Sequence, residues 1–273
     1  MKPLSGLTGT KAVAAPGAFN AATALLVEKA GFEAVYISGA GLSNSNGLPD
    51  AGLLSREEVL SLSTAIIKSV KIPAIVDIDT GFGGPQEVRE TVRLFEAAGA
   101  AAVQIEDQEF PKRCGHLQGK AVIPAEEFIA KIKAAKAGRK SPDFYIIART
   151  DARATGGLIE AIKRGRQYSN AGADMIFPEA LETKEEFREF SRQVNSPLVA
   201  NMTEFGKTPF ITLDEFTELG YSLVLFPMTV FRTAMKAVEE ALTELKNSGT
   251  QKGLVERMMT REEIYRLIRY DIG

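Results

Sequence analysis

Residues 112 to 116 read Lys112-Arg113-Cys114-Gly115-His116 and contain the only cysteine and the only histidine of the 273-residue chain. A thiol is useful when part of it is thiolate, and flanking cations such as Lys112 and Arg113 lower its pKa by stabilising the anion. Gly115 has no Cβ, so the backbone can come close to whatever Cys114 touches. A lone cysteine is otherwise a small packing residue. Its position between cations, just after a strand-like run ending in acidic residues, favours the chemical reading, with Lys112, Arg113, Cys114 and His116 as one catalytic group.

A second cluster is Val76-Asp77-Ile78-Asp79. Strand side chains alternate, so Asp77 and Asp79 are expected on one face with Ile78 on the other. Two such carboxylates repel unless a cation lies near them; without one they would be a loop-anchoring pair. The chain has no histidine beyond His116 and no second thiol, so a zinc site is hard to build. Oxygen ligands favour Mg²⁺ or Mn²⁺, with water or substrate oxygens completing the shell. Asp50 and Glu106 can hold those waters. Arg149 offers a planar fork for a carboxylate, or a partner for Asp151, and Asn201 and Thr203 add neutral hydrogen-bonding groups. A metal, an arginine fork and a thiol imply a small, multiply anionic substrate. Gly81-Phe82-Gly83-Gly84-Pro85 matches neither the P-loop nor the dinucleotide pattern and reads as a plain loop. Ser38-Gly39-Ala40-Gly41 reads as a glycine-rich loop whose N–H groups can bind a carboxylate.

These residues sit at the ends of strand-like runs at 12–16, 34–38, 73–79, 102–106, 144–150, 175–178, 197–202 and 223–227. Segments of helical composition follow at 21–29, 56–69, 86–97, 125–137, 158–170, 184–193, 213–218 and 230–246. Parallel strands need helical crossovers, and closing the sheet removes its edges, so eight such units predict an α/β fold of the (β/α)₈ barrel type. A doubly wound open sheet is the alternative. An internal echo favours the barrel. Gly31, Gly99, Gly172 and Gly220 each follow a helical pattern, and seven residues on stand Ser38, Glu106, Glu179 and Pro227. In a barrel these positions meet on the C-terminal rim, where such folds keep their active sites.

A composition of 45% hydrophobic and 25% charged residues is enough for one large domain over residues 1–273, with 250–273 as a C-terminal helical extension. Within it, Thr260-Arg261-Glu262-Glu263 predicts a capping box. A net charge of −2 offers no basic field for nucleic acid or an anionic membrane surface. No apolar run is long enough to span a bilayer, the first residues lack the apolar core of a signal peptide, and one cysteine cannot form an intrachain disulfide. The expectation is a cytoplasmic protein.

Ser38-Gly39-Ala40, Gly47-Leu48-Pro49-Asp50, Asp77-Ile78-Asp79-Thr80-Gly81-Phe82-Gly83, Glu106-Asp107-Gln108, Lys112-Arg113-Cys114-Gly115-His116, Ala148-Arg149-Thr150-Asp151 and Asn201-Met202-Thr203-Glu204-Phe205-Gly206 together resemble the isocitrate lyase and phosphoenolpyruvate mutase superfamily. The resemblance spans nearly the whole chain and is closest to the 2-methylisocitrate lyase branch. The cysteine motif discriminates most, because the mutase and phosphonate-hydrolase branches generally lack it. The resemblance implies Mg²⁺-dependent retro-aldol cleavage of a tricarboxylate to pyruvate and succinate, with the metal at Asp77 and Asp79 and Cys114 protonating the succinate carbanion. It also implies substrate contacts at Ser38, Gly39, Ala40, Gly115, Arg149, Glu179, Asn201, Met202, Thr203, Arg232 and Arg261. Candidates for the hydroxyl base are Tyr36, Glu106 and Asp50. Phe177 and Leu225, at strand ends, suit an apolar pocket for the extra methyl, worth about 1–3 kcal/mol of discrimination. The resemblance further implies a homotetramer with exchanged C-terminal helices. Isocitrate lyase, oxaloacetate hydrolase, phosphonopyruvate hydrolase and a non-catalytic dicarboxylate-binding module stay open as alternatives.

Overall fold

Short runs of aliphatic residues form the strands β1 (Val13–Pro16), β2 (Val35–Ile37), β3 (Ala74–Asp77), β4 (Ala102–Glu106), β5 (Tyr145–Thr150), β6 (Met175–Pro178), β7 (Val199–Asn201) and β8 (Leu223–Phe226). The computed structural model describes residues 4, 11–113, 115 and 119–270. Cys114 and His116, the centre of the sequence reading, lie outside the described residues. All strand pairs are parallel, in the orders β1-β8-β7 and β2-β3-β4-β5-β6. Parallel bridges Gly17 to Tyr36 and Ile176 to Leu198 join the two sheets, so the ring closes in sequence order. The open doubly wound alternative is thereby excluded.

The strands read as nearly continuous apolar runs because both faces are covered. One set of side chains, including Ala15, Tyr36, Ile75, Ile147, Met175, Phe177, Val199, Leu223 and Leu225, packs inside the barrel. The alternate set, including Val35, Ile37, Val76, Val103, Ile105, Ile146, Ile176 and Val224, packs outward in the larger core with Val92, Phe95, Phe128 and Phe190. Each fully buried Leu, Ile or Phe contributes roughly 1.5–3 kcal/mol, an upper figure because unfolded chains already hide some apolar surface.

The helices are α1 (Ala21–Lys29), α2 (Gly39–Ser45), α3 (Arg56–Ser69), α4 (Pro85–Ala98), α5 (Ala125–Gly138), α6 (Ala152–Ala171), α7 (Lys184–Gln193), α8 (Leu213–Glu218), α9 (Thr229–Ser248) and α10 (Arg261–Leu267). Reciprocal capping boxes start α3 at Ser55 and Glu58, α8 at Thr212 and Glu215, and α10 at Thr260 and Glu263. Gly99 and Gly172 end α4 and α6 in the left-handed conformation. Two expectations need correction. The stretch from Gly39 to Ser45 is a helix rather than a loop: its glycines, serines and asparagine are poor helix formers, but burial of Leu42 and Ser43 against the barrel overrides propensity. Helix α6 begins at Ala152 rather than near 158, with Gly157 out of helical conformation between its two parts. Helix α10 folds back against α1, where Arg269 pairs with Glu28. Among the described residues no helix is long and apolar enough to cross a membrane.

Candidate active site at the C-terminal rim

Strand β3 ends at Asp77, and its carboxylate is fixed by two backbone donors: Gly39 N–H at 3.2 Å to Oδ2 and Asp79 N–H at 3.1 Å to Oδ1. Asp79 is not on the strand. Its φ of +48° puts it in the left-handed region, so a turn, not alternation, carries its side chain back beside Asp77. Ile78 does face the helices. Burial raises the pKa of Asp79 to about 6, Lys112 opposing and Asp77 adding to the rise.

The side chain of Lys112, only 5% exposed, enters between Asp50, to which it hydrogen-bonds, and Asp79, whose Oδ1 lies 2.8 Å away. Burial pulls the Lys112 pKa down, but Asp79, Asp50, Glu106 and Asp77 more than offset it, so the ammonium stays charged. It is a fixed cation, not a base. Arg149, on β5, is held similarly: Nε and Nη2 reach the Asp151 carboxylate at 2.9 and 3.1 Å, and Nη1 lies 3.3 Å from Glu106. Its guanidinium sits 5.3 Å above the Phe177 ring centroid. Asn201 Nδ2 donates to Glu179 at 3.2 Å. Arg232 is engaged with Glu204, at 2.8 Å, and lies over the Phe205 ring.

Among the described residues, three of the buried polar atoms without a hydrogen-bond partner lie here: Gln104 Nε2, Glu106 Oε1 and Asn201 Oδ1. Leaving such groups unpaired costs about 1–3 kcal/mol each, so their clustering marks a place built for a polar ligand. No group of three or more His, Cys, Asp or Glu stands together as a metal cage among the described residues. Two carboxylates with unpaired oxygens beside them fit Mg²⁺, which usually takes one or two protein carboxylates and completes its shell with water or substrate.

Tyr36, Ser38, Ala40, Asp50, Asp77, Lys112, Arg113, Gly115, Arg149, Phe177, Glu179, Asn201, Thr203, Leu225 and Arg232 line one cavity of about 220 Å³. Gly39 and Glu106 stand beside it, through Asp77 and Arg149. Gly115 is packed so closely that a Cβ there would lie 2.5 Å from Arg149 Nη2 and 2.7 Å from the Glu179 carboxyl carbon. A larger cavity of about 740 Å³ lies on the other side of Asp79, between Leu53, Phe82 and Phe110. The smaller one collects the buried ionisable groups Asp77, Lys112, Arg149 and Glu179, so the chemistry belongs there.

Three expectations change. Met202 points away from the cavity into the outer core, where its sulfur accepts from Ile211 N–H at 3.5 Å; alternation from Asn201 to Thr203 requires this. Arg261 is exposed on α10, which lies against α1, and within one chain it does not line this cavity. Tyr36 is a poor base: burial first and Asp77 next push its pKa well up, and its hydroxyl donates to Gln104 Oε1 at 2.6 Å. The sequence reading missed a buried layer behind the rim. Asp107 accepts from Thr150, Tyr168 and Arg164 side chains at 2.8, 2.7 and 3.1 Å and from Asp151 N–H at 2.9 Å. Asp107 stands in the Glu106-Asp107-Gln108 motif directly after a strand, but nothing local marked it as buried beneath Asp151.

The family described as phosphoenolpyruvate phosphomutase matches residues 5–246. The 2-methylisocitrate lyase of Aeropyrum pernix is 54% identical over 258 residues, 94% of this chain and 83% of that protein. That of Bacillus subtilis is 47% identical, over 93% of this chain and 84% of its own. The crystal structure of a 2,3-dimethylmalate lyase, a member of the phosphoenolpyruvate mutase and isocitrate lyase superfamily, superposes with TM-score 0.91 at 34% identity, covering 97% of this chain and 89% of that one. A phosphonopyruvate hydrolase bound to oxalate and Mg²⁺ superposes with TM-score 0.87 at 34% identity, covering 96% and 92%. With a barrel closed in sequence order and similarity along nearly its whole length, the chain belongs to the phosphoenolpyruvate phosphomutase family.

Proposed function

We propose that the chain is a 2-methylisocitrate lyase, splitting its substrate into pyruvate and succinate. The observation that carries this reading is that Lys112, Arg113 and Gly115, the described members of the cysteine motif, line the same cavity as Asp77, Arg149 and Asn201. The identity of the substrate comes from the relatives at 54% and 47% identity.

Arg149, pre-oriented by Asp151 and backed by Phe177, binds a substrate carboxylate, while Asn201 and Thr203 orient the remaining oxygens. Glu106, whose pKa burial pushes well up, takes the hydroxyl proton; Tyr36, held protonated and donating to Gln104, stays out of the proton transfer. As the carbon–carbon bond breaks, its electron pair stays on the carbon that becomes succinate, and the new carbonyl forms on pyruvate. Cys114 donates the proton that quenches this carbanion. Lys112 keeps a positive charge at the mouth throughout. Phe177 and Leu225 enclose the extra methyl. Asp77 and Asp79 would hold Mg²⁺, which when bound polarises the substrate hydroxyl and carboxylate oxygens. The protein works as a cytoplasmic homotetramer, for which the uncovered apolar face of α9 is the support: Met235, Val238, Leu242 and Leu245 are all exposed.

The test is pyruvate release from racemic 2-methylisocitrate with Mg²⁺ and then with excess chelator, beside glyoxylate release from isocitrate. Metal-dependent pyruvate with much slower glyoxylate is expected. No release from folded protein overturns the reading and turns attention to 2,3-dimethylmalate, oxaloacetate and phosphonopyruvate; tight binding without turnover of any of them would mark a binding module.

A further inference from the structure

Two buried side chains that do not line the cavity hold the backbone on either side of Cys114. Gln108, 2% exposed, accepts from Arg113 N–H at 2.9 Å through Oε1 and donates to the Arg113 carbonyl at 2.9 Å through Nε2. One primary amide thus satisfies both backbone groups of the residue before the cysteine. Lys120 acts on the residue after it. Its side chain, 1% exposed, donates to the Gly115 carbonyl and to Asp151 Oδ1, the latter at 2.6 Å. Asp151 is fully buried, orients Arg149 through its carboxylate and is itself held through its N–H by Asp107.

The segment that carries both contacts is pinned at its base, where Glu109 N–H donates to the Ala121 carbonyl and Ile123 N–H to the Asp107 carbonyl, each at 2.9 Å. Burying a lysine for one carboxylate and one carbonyl is expensive in an apolar surrounding and gives geometry in return. That geometry ties Gly115 to the same aspartate that aims Arg149.

We propose that Gln108 and Lys120 are positioning residues for the cleavage reaction, fixing the backbone at Arg113 and Gly115, the described neighbours of the thiol, in the geometry that cleavage requires. The proposal rests on the lyase reading. The variants Gln108→Leu and Lys120→Met lower kcat by about 30- to 100-fold with KM within about threefold, the cost of a displacement near 1 Å in a pre-oriented donor. Lys120→Arg, which keeps the cation and its donors, regains most of the loss. Alkylation of Cys114 by iodoacetamide without substrate, specific because the chain has one thiol, changes in rate several-fold in both apolar variants. Parental kcat and parental alkylation in folded variants overturn the proposal, as does a loss that follows Tm alone and is not regained in Lys120→Arg. If Lys120→Met does not fold, Gln108→Glu and Lys120→Arg are read by the same two measurements. If the parent does not cleave 2-methylisocitrate, the lyase reading fails and the alkylation rates decide the positioning role by themselves.

Discussion

At the barrel mouth, Glu106, Lys112, Arg149, Asp151 and Glu179 are all buried, whereas α9, twenty residues long, buries none of its own. The mouth hides charge and the C-terminal helices show apolar surface: Met235, Val238, Leu242 and Leu245 on α9, then Val255, Met258, Met259, Ile264 and Ile268. Each region is unfinished in a different sense. Charges at the mouth are paired across strands, and the acceptor atoms left over, Glu106 Oε1 and Asn201 Oδ1, are ones that a small polar ligand satisfies. On α9 the spacing 235, 238, 242, 245 draws one apolar stripe, which only another apolar surface can cover. Polarity that is buried and apolarity that is exposed both locate function, the first in chemistry and the second in assembly.

The comparison breaks most sharply at the thiol. Cys114→Ser lowers cleavage by about 10³-fold, since the hydroxyl is a far weaker acid, with substrate binding retained in calorimetry; undiminished turnover would remove the cysteine from the chemistry. Arg149→Lys follows with a loss of about 10²-fold in kcat/KM, because an ammonium cannot span Asp151 and a substrate carboxylate as the planar fork does.

On the other side, Leu242→Glu puts a charge into the α9 stripe and dissociates the assembly in sedimentation velocity. Its monomer keeps the fold in circular dichroism, because Leu242 is 61% exposed in a single chain. An unchanged assembly would show that the stripe is not the interface.

Glu106→Gln sharpens the stability side. Burial raises the folded-state pKa of Glu106 well above 4.5, so the folded protein binds this proton more tightly than the unfolded one. Its stabilising contribution is complete below about pH 4.5 and is lost as pH rises through the folded pKa. Metal-free Glu106→Gln therefore gains a few degrees in Tm at neutral pH, about 1 kcal/mol at this chain length, while kcat falls. The smallest effect is Arg269→Ala. Its pair with Glu28 anchors α10 but is half exposed, so urea unfolding should move by less than about 1 kcal/mol.

Much of this was legible beforehand because it is local. The capping box at Thr260 needs only four residues, and the end of β4 at Glu106 needs only the run before it. Asp77, Arg149 and Asn201 could be assigned to one rim because strand ends in a parallel barrel all meet at one mouth. Local rules also failed locally. Alternation was extended to Asp79, where a left-handed turn had already replaced the strand, and Met202 was counted with its neighbours although alternation turns it outward. Helix α2 was read as a loop because propensity cannot see the packing around Leu42.

By itself, then, the sequence determined the period of strand and helix, the closed barrel it implies, the polar strand ends and the Lys112-to-His116 motif. All of these depend on residue type and spacing within a few positions. Only the tertiary structure decided that Lys112 stands between Asp50 and Asp79, that Asp107 underlies Asp151, and that Gln108 and Lys120 grip the flanks of Cys114. Those facts depend on which groups come within about 3 Å of each other after distant segments have packed, because hydrogen bonds and ion pairs act over that short range and spacing along the chain does not encode it.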